Sequence, residues 1–229
     1  MINTIDTVHY VSDNTTEENL LENVNDVIII NIFTRSGNRP TLFKTLKDSI
    51  LKQTYPHIRH VISNDNPKCT YLNNEKYVCP VTKPLSPNNG FYNLYLNEMA
   101  KTINTGWVVI LDDDSKLTNN RVIEDIARHC SNSKTTDVLI YKVMLYPYKT
   151  VLPDRKHWRK CSIECGNIDM ACFCVHYSVF NDVQFQCRVG GDFWFIDDIR
   201  KCGKYKFKLV DIPLGIWANY KGALSGKNK

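Results

Sequence analysis

The sequence lacks any apolar run of the roughly 18–20 residues that a transmembrane helix needs. Its first ten residues also lack the basic start and the long apolar core of a secretory signal peptide. It contains no internal repeat, no low-complexity tract and no recognisable linker between domains. We therefore expect one domain in a cytoplasmic protein without a transmembrane segment, and any attachment to a membrane would be peripheral.

Zinc-binding knuckles are missing as well. The chain has nine cysteines, and two close pairs occur at Cys161/Cys165 and Cys172/Cys174. These pairs do not form two Cys-x-x-Cys knuckles, so the spacing does not favour a structural zinc site. Because no secretion signal is present, we expect reduced thiols that are buried as small apolar residues.

The charge is unevenly distributed along the chain, although its formal net value is only +5. Residues 1–26 are polar and acidic and form a predicted arm, whereas the main domain, residues 27–229, ends in a lysine-rich tail. A basic tail can attract nucleic acid, an anionic membrane or a ligand with phosphates. No RNP, helix-turn-helix or zinc-finger pattern accompanies it, which argues against nucleic-acid binding.

The most informative stretch is an apolar run, Trp107–Leu111, that leads directly into Asp112, Asp113 and Asp114. A short apolar run of this kind is typical of a strand buried on both faces of a parallel sheet. Because burying unpaired carboxylates is costly, the acids are expected where the strand ends. Ligands collect at that edge of an α/β sheet, and hard divalent cations take oxygen ligands.

The rest of the chain predicts an α/β fold with a mostly parallel central sheet and helices on both faces. Strand Val27–Phe33, an amphipathic helix over 41–53 and strand His60–Ser63 form a βαβ unit. Pro147–Cys165 has no periodicity, and the end from Trp217 is assigned to the tail. Further predicted strands are Tyr77–Cys79, Val138–Leu145, Met170–His176 and Phe207–Ile212, and further helices end near Ile103, His129 and Lys201.

Several of these segments together resemble a known family. The run Ser49-Ile-Leu-Lys-Gln-Thr-Tyr-Pro56, the strand ending at Asp65, Asn97 before the apolar strand, Asp112-Asp113-Asp114 and Gly191-Asp192 follow the order of family 2-type glycosyltransferases. That family has a single-domain, Rossmann-like GT-A fold. Two positions depart from its pattern, since Leu96 stands where many members have arginine and Gly191 where they have glutamate.

The resemblance implies a metal-dependent transfer of a sugar from a nucleotide-diphosphate donor, with a UDP-sugar favoured, to a hydroxyl of a glycan or glycoconjugate. Asp114 is the implied ligand of Mn²⁺ or Mg²⁺, and Asp112 contacts the metal, its water or the ribose. In an extended backbone Asp113 projects to the other side and has the weakest claim as a donor-binding residue. A cluster of turn-forming acids is the structural alternative for this triplet.

Other donor-binding positions follow from the same resemblance. Thr34 and Arg35 are placed in the crevice beside the first strand, and Asp65 is expected to accept a hydrogen bond from the pyrimidine N–H, unless it only forms an Asx-turn. Asn97 and Asp169 are further candidates for donor contacts. Lys227 belongs to a glycine-hinged tail that can close over the diphosphate or simply fray.

Inverting transfer, which we expect, requires a base that takes the proton of the acceptor hydroxyl. Asp192 is the candidate because it begins a helix beside two glycines, which allow a sugar to approach closely. A helix N-terminus lowers the basicity of an anion, so Asp192 as a plain N-cap is the alternative. Two other functions stay open, a nucleotidyltransferase acting on sugar phosphates and a nucleic-acid-binding module.

Overall fold

The computed structural model describes residues 27–66, 68–75, 78–80, 90–146, 148–160 and 162–219. The predicted arm over residues 1–26 and Lys227 lie outside these ranges. In the described part of the chain, no helix is both long enough and apolar enough to cross a membrane.

The elements alternate between strands and helices along most of the chain. The strands are β1 (Ile30–Ser36), β2 (Ile58–Asn64), β3 (Val78–Pro80), β4 (Trp107–Ile110), β5 (Lys116–Leu117), β6 (Asp137–Ile140), β7 (Val143–Leu145), β8 (Thr150–Leu152), β9 (Phe173–His176), β10 (Lys206–Leu209) and β11 (Ile216–Ala218). The helices are α1 (Pro40–Leu51), α2 (Leu94–Ala100), α3 (Val122–Ser131), α4 (Arg155–Lys160), α5 (Val179–Asp182) and α6 (Gly191–Cys202), and two short 3-10 helices span Phe91–Asn93 and Met170–Cys172.

The central sheet contains seven strands of the described chain in the order β10-β6-β9-β4-β1-β2-β3. The pairs β1–β2, β1–β4, β2–β3 and β6–β10 are parallel, whereas β9 is antiparallel to both of its neighbours, β4 and β6. The predicted α/β fold with a mostly parallel sheet is therefore confirmed. Parallel strands leave their carboxyl ends at one edge, and β1, β2 and β4 end side by side there.

Buried apolar residues explain the first βαβ unit. All seven residues of β1 are buried, as expected for a strand covered on both faces. In α1, Pro40 occupies the first turn, and Phe43, Leu46 and Ile50 are buried at the spacing of one helix face. Leu51 lies off that face and is 71% exposed.

A second sheet corrects three of the sequence-based predictions. The predicted strand Val138–Leu145 is two strands, because β6 belongs to the central sheet and β7 to a four-stranded sheet with the order β5-β11-β7-β8. The segment Pro147–Cys165, predicted to be irregular, contains β8 and α4, and Trp217, predicted to be in the tail, lies in β11. Strands of two or three residues are stabilised by the strands they pair with. The hydrophobic pattern of the sequence does not reveal such pairing.

The predicted strand Met170–His176 is also shorter than expected. Its first three residues form a 3-10 helix that Asp169 caps, since the Asp169 carboxylate accepts a hydrogen bond of 2.9 Å from the Ala171 N–H. Among the described cysteines, Cys69, Cys130, Cys172 and Cys174 are buried and none forms a disulfide. The thiol sulfurs of Cys130 and Cys174 lie 3.7 Å apart within the core.

Candidate active site

A pocket of about 250 Å³ opens at the carboxyl ends of β1, β2 and β4. The short strand β5 follows directly after the three aspartates, and its partner β11 brings Ala218 and Asn219 to the pocket wall. The charged side chains that line the pocket are Arg35, Arg39, Asp65, Asp112, Asp114 and Asp169.

Arg35 and Asp112 form a bidentate ion pair across the adjacent strands β1 and β4. Arg35 Nε and one terminal nitrogen donate to the two carboxylate oxygens of Asp112, at 2.8 and 2.5 Å. The other terminal nitrogen of Arg35 donates to the side-chain oxygen of Asn93 at 3.0 Å, and the guanidinium lies 5.1 Å from the ring centre of Tyr92. These contacts fix the plane of the Arg35 guanidinium.

Arg39 bridges the other two aspartates of the triplet. It donates to Asp114 Oδ2 at 2.8 Å and pairs with Asp113 through its other terminal nitrogen. The hydroxyl of Ser36 donates to Asp113 Oδ2 at 2.7 Å and lies 2.6 Å from the Tyr71 hydroxyl. Asp112 and Asp114 thus line the pocket, whereas Asp113 is fully buried beneath it.

Asn93 joins this cluster to the helix that carries Asp192. Its side chain is fully buried, and its amide nitrogen donates to the carbonyl oxygen of Arg188 at 2.8 Å. Gly191, the first residue of α6, packs directly on the same amide, since a Cβ atom at Gly191 would lie 2.3 Å from the Asn93 amide nitrogen. The start of α6 can therefore approach the pocket only because Gly191 has no side chain.

Asp65 is placed in the pocket by the loop after β1. Its backbone N–H donates to the carbonyl oxygen of Ser36 at 2.9 Å, and its carboxylate lies against Gly37. A Cβ atom at Gly37 would come within 1.5 Å of Asp65 Oδ1. A glycine at position 37 is therefore needed for the observed position of the Asp65 carboxylate.

Asp192 accepts a hydrogen bond of 2.8 Å from the N–H of Phe193 at the start of α6. Burial raises the pKa of Asp192, and the positive charge of Arg35 partly opposes that shift. The charge of Asp192 also contributes to the raised pKa of Asp169. Asp192 does not line the pocket. It follows Gly191, which packs on the Asn93 side chain that contacts the pocket residue Arg35.

Acidic groups outnumber basic ones in this region. Burial raises the pKa of Asp113 and of Asp169 to about 7, and it also raises the pKa of Asp114 and Asp65. Four of the six charged residues that line the pocket are aspartates and two are arginines. The site therefore has more carboxylates than its own cations can neutralise.

Besides the buried Asp113, two further residues predicted to bind the donor do not line the pocket. Thr34 is fully buried, and its hydroxyl donates to the Leu111 carbonyl oxygen at 2.7 Å and contacts His60 Nε2 at 2.9 Å. Asn97 exchanges two hydrogen bonds, of 2.9 and 2.8 Å, with the backbone of Phe185. Neither side chain has a surface on the pocket, so direct ligand contact, as predicted for both, does not fit their positions.

Sequence reasoning missed Arg39, Asn93 and Asn219. Arg39 lies four residues after Arg35, which was predicted to lie in the crevice, and this closeness along the chain was a signal that could have been used. Asn93 lies one helical turn before Asn97, on the same helical segment, and only the structure shows that it is the asparagine that contacts Arg35.

The donor set is compatible with a divalent cation bound jointly by protein and ligand. Asp112 and Asp114 supply oxygen atoms from one wall of the pocket, and hard cations such as Mg²⁺ retain water and phosphate ligands. Among the described residues, no group of three His, Cys, Asp or Glu side chains forms a complete metal site. The protein would thus supply part of the coordination shell.

Comparison with known proteins adds information at the level of the fold. Solved structures of S. aureus TarS are similar: one matches with a TM-score of 0.61 and 15% identity over 83% of this chain and 36% of that chain. TarS 1–349 in complex with UDP-GlcNAc and in complex with UDP both match with TM-scores of 0.59 and 14% identity, over 83% of this chain and 58% and 60% of those chains.

The present chain spans less than two thirds of the length of each of these TarS chains. No protein-family model and no curated protein sequence matches it. The structural likeness shows the fold, and this fold is GT-A-like, as the ordered sequence motifs predicted.

Proposed function

We propose that the protein is a metal-dependent glycosyltransferase that moves a sugar from a UDP-sugar to a hydroxyl of a glycan or glycoconjugate. The observation that carries the proposal is the pocket at the ends of β1, β2 and β4, which combines Asp112 and Asp114 with Arg35 and Asp65 in a GT-A-like fold. Ligands bind at this edge of α/β sheets. Solved proteins with a similar fold include complexes with UDP and UDP-GlcNAc.

The charge of the pocket supports a metal requirement. Its lining has two more negative than positive side chains when all are ionised, and a diphosphate adds further negative charge. Mn²⁺ or Mg²⁺ held by Asp112 and Asp114 would neutralise charge on the diphosphate leaving group. The ion pair with Arg35 keeps Asp112 fixed, so that its carboxylate is already oriented when the donor arrives.

Recognition of the nucleotide is assigned to Asp65 and to two aromatic residues that line the pocket. Asp65 is held over Gly37 with its carboxylate facing the pocket, where it can accept a hydrogen bond from the uracil N–H. Phe91 and Tyr92 line the same pocket and offer aromatic faces for stacking. Asp169 is available to the sugar hydroxyls.

Asp192 is the proposed general base, and inversion at the sugar carbon is the expected outcome. It lies at the start of α6, which packs on Asn93 beside the pocket residue Arg35, and burial raises its pKa, which makes the carboxylate a better proton acceptor. A Cβ atom at Gly190 would have no neighbour closer than 3.8 Å, so this glycine leaves space for an acceptor to approach, whereas the space at Gly191 is taken by Asn93.

The test is binding and hydrolysis of a panel of nucleotide sugars with and without Mn²⁺, together with transfer to added acceptors. Asp114→Asn should lose Mn²⁺-dependent turnover, and Asp192→Asn should lose transfer while it still binds UDP. Asp48→Asn, which removes an exposed carboxylate of α1 that pairs with Lys44, is the matched control. Full activity of the folded Asp114→Asn protein would contradict the site assignment.

The products distinguish this proposal from a nucleotidyltransferase acting on sugar phosphates. A glycosyltransferase releases UDP, whereas a nucleotidyltransferase that forms a nucleotide sugar releases pyrophosphate. Binding to DNA or RNA that persists in Asp114→Asn and weakens steeply with salt would instead indicate a nucleic-acid-binding module.

A further inference from the structure

The two arginines of the pocket are held very differently. The side chain of Arg35 is only 10% exposed and is fixed by Asp112, Asn93 and Tyr92. The side chain of Arg39 is 33% exposed and reaches the pocket from the residue just before α1. Of the two arginines, Arg39 can therefore exchange one contact, the one with Asp114 at the pocket, while its pair with the buried Asp113 is kept.

Arg39 places one positive charge across two carboxylates. One terminal nitrogen donates to Asp114 Oδ2 at 2.8 Å, and the other pairs with Asp113. Asp113 is fully buried and is also held by the Ser36 hydroxyl, whereas Asp114 lines the pocket. A buried carboxylate requires a cationic partner, and in this arrangement Arg39 supplies it for both.

A divalent cation bound to Asp114 would itself neutralise this carboxylate, so Asp114 would no longer need Arg39 as its cationic partner. The cation would also repel the Arg39 guanidinium. The pair with Asp113 would keep Arg39 in place, while the nitrogen that now donates to Asp114 would turn toward the pocket. Because the guanidinium is planar and has two terminal nitrogens, it can pair with Asp113 through one and donate a charge-assisted hydrogen bond to a phosphate oxygen through the other. The same cation would bring a diphosphate to this position.

We infer that Arg39 is a phosphate-binding residue that exchanges Asp114 for the donor diphosphate when the cation binds, an inference that rests on the proposed function. Arg39 has two opposite effects. In the absence of nucleotide it competes with the cation for Asp114, and in the presence of the cation it strengthens nucleotide binding. Binding of the cation and of the nucleotide is thereby coupled.

The experiment measures two affinities by isothermal titration calorimetry on the full chain: Mn²⁺ alone, and UDP with saturating Mn²⁺. For Arg39→Gln we expect Mn²⁺ alone to bind about tenfold more tightly and UDP to bind about tenfold more weakly. Arg121→Gln, which removes an exposed arginine paired with Glu124 on α3, is the control and should match the wild type in both affinities.

Arg39→Gln leaves the buried Asp113 without its cationic partner and could prevent folding. Arg39→Lys is therefore a second variant that tests the same inference. Lysine keeps a charge for Asp113 but has no planar fork, so the folded protein should bind UDP with Mn²⁺ more weakly than the wild type. Unchanged UDP affinity in the folded Arg39 variants would overturn the inference, as would weaker binding of Mn²⁺ alone to Arg39→Gln.

The two proposals fail in different ways. A folded wild-type protein that binds no UDP in the presence of Mn²⁺ would overturn the proposed function together with the inference. A wild-type protein that binds UDP with Mn²⁺, accompanied by Arg39 variants that bind it equally well, would overturn the inference alone.

Discussion

Gly191, the first residue of α6, is in contact with Asn93, the last residue of the 3-10 helix that precedes α2. A Cβ atom at Gly191 would lie 2.3 Å from the amide nitrogen of Asn93, and Asn93 in turn accepts the hydrogen bond of Arg35. The chain of contacts Gly191–Asn93–Arg35–Asp112 connects the helix that carries the proposed base to the strand that carries the proposed metal ligands.

Gly191→Ala should displace either α6 or the Asn93 side chain. Overpacking of a buried position costs about 1–3 kcal/mol, so thermal unfolding should occur at a lower temperature and transfer activity should fall. In an Asn93→Ala background the amide is absent, and the same Gly191→Ala change should cost less. An equal loss of stability in both backgrounds would contradict the contact.

Gly37→Ala should move the Asp65 carboxylate out of the pocket. The added Cβ would overlap Asp65 Oδ1, so UDP affinity should fall about as far as in Asp65→Ala. Because both changes remove the same interaction, the double variant should bind UDP no more weakly than either single variant. Strictly additive losses, measured by calorimetry, would show that Gly37→Ala weakens UDP binding by a route other than displacing Asp65.

Asp192→Asn tests the general base separately from donor binding. Loss of a positioned base typically lowers turnover by about 10²–10⁴-fold, and we expect kcat for transfer to fall in that range. The KM for the UDP-sugar should stay close to that of the wild type, since Asp192 does not line the pocket. Asp198→Asn on the same helix, whose carboxylate accepts from Gln186, should leave kcat unchanged.

His157 should make stability depend on pH. Its ring nitrogens lie 2.8 Å from Asp154 and 2.9 Å from Glu164. Burial alone would lower the pKa of His157, but the hydrogen bonds to Glu164 and Asp154 outweigh it and raise the pKa above the ordinary 6.5. The stabilisation is thus fully present below about pH 6.5 and is lost as pH rises through the higher folded-state value.

The measurement is the unfolding temperature of wild type and His157→Gln between pH 5.5 and 8.5. The difference between the two proteins should be largest at the acidic end and shrink as pH rises. A difference that stays constant across this range would show that His157 contributes only through packing.

Part of the central sheet could be predicted from the sequence because apolar runs mark its strands. β4 lies wholly within the apolar run Trp107–Leu111, whereas β1 begins in the mostly apolar run Val27–Phe33 and continues through the polar residues Thr34, Arg35 and Ser36. The amphipathic spacing of α1 is equally plain. The passage of the chain from the central sheet at β6 to the second sheet at β7 could not be predicted, because Tyr141 and Lys142 between them are not turn-forming residues. The strand β11 could not be predicted either, because three residues are too few to show an alternation of apolar and polar residues.

For the site, the residue pattern alone indicates which carboxylates follow β4, and extended geometry predicts that Asp112 and Asp114 share a side. The partners that neutralise these carboxylates depend on the folded chain, because Arg35 lies 77 residues before Asp112 and Arg39 lies 75 residues before Asp114. The fold also decided that Asn93 rather than Asn97 contacts Arg35. Side chains one helical turn apart have the same periodicity, and packing against α6 selects between them.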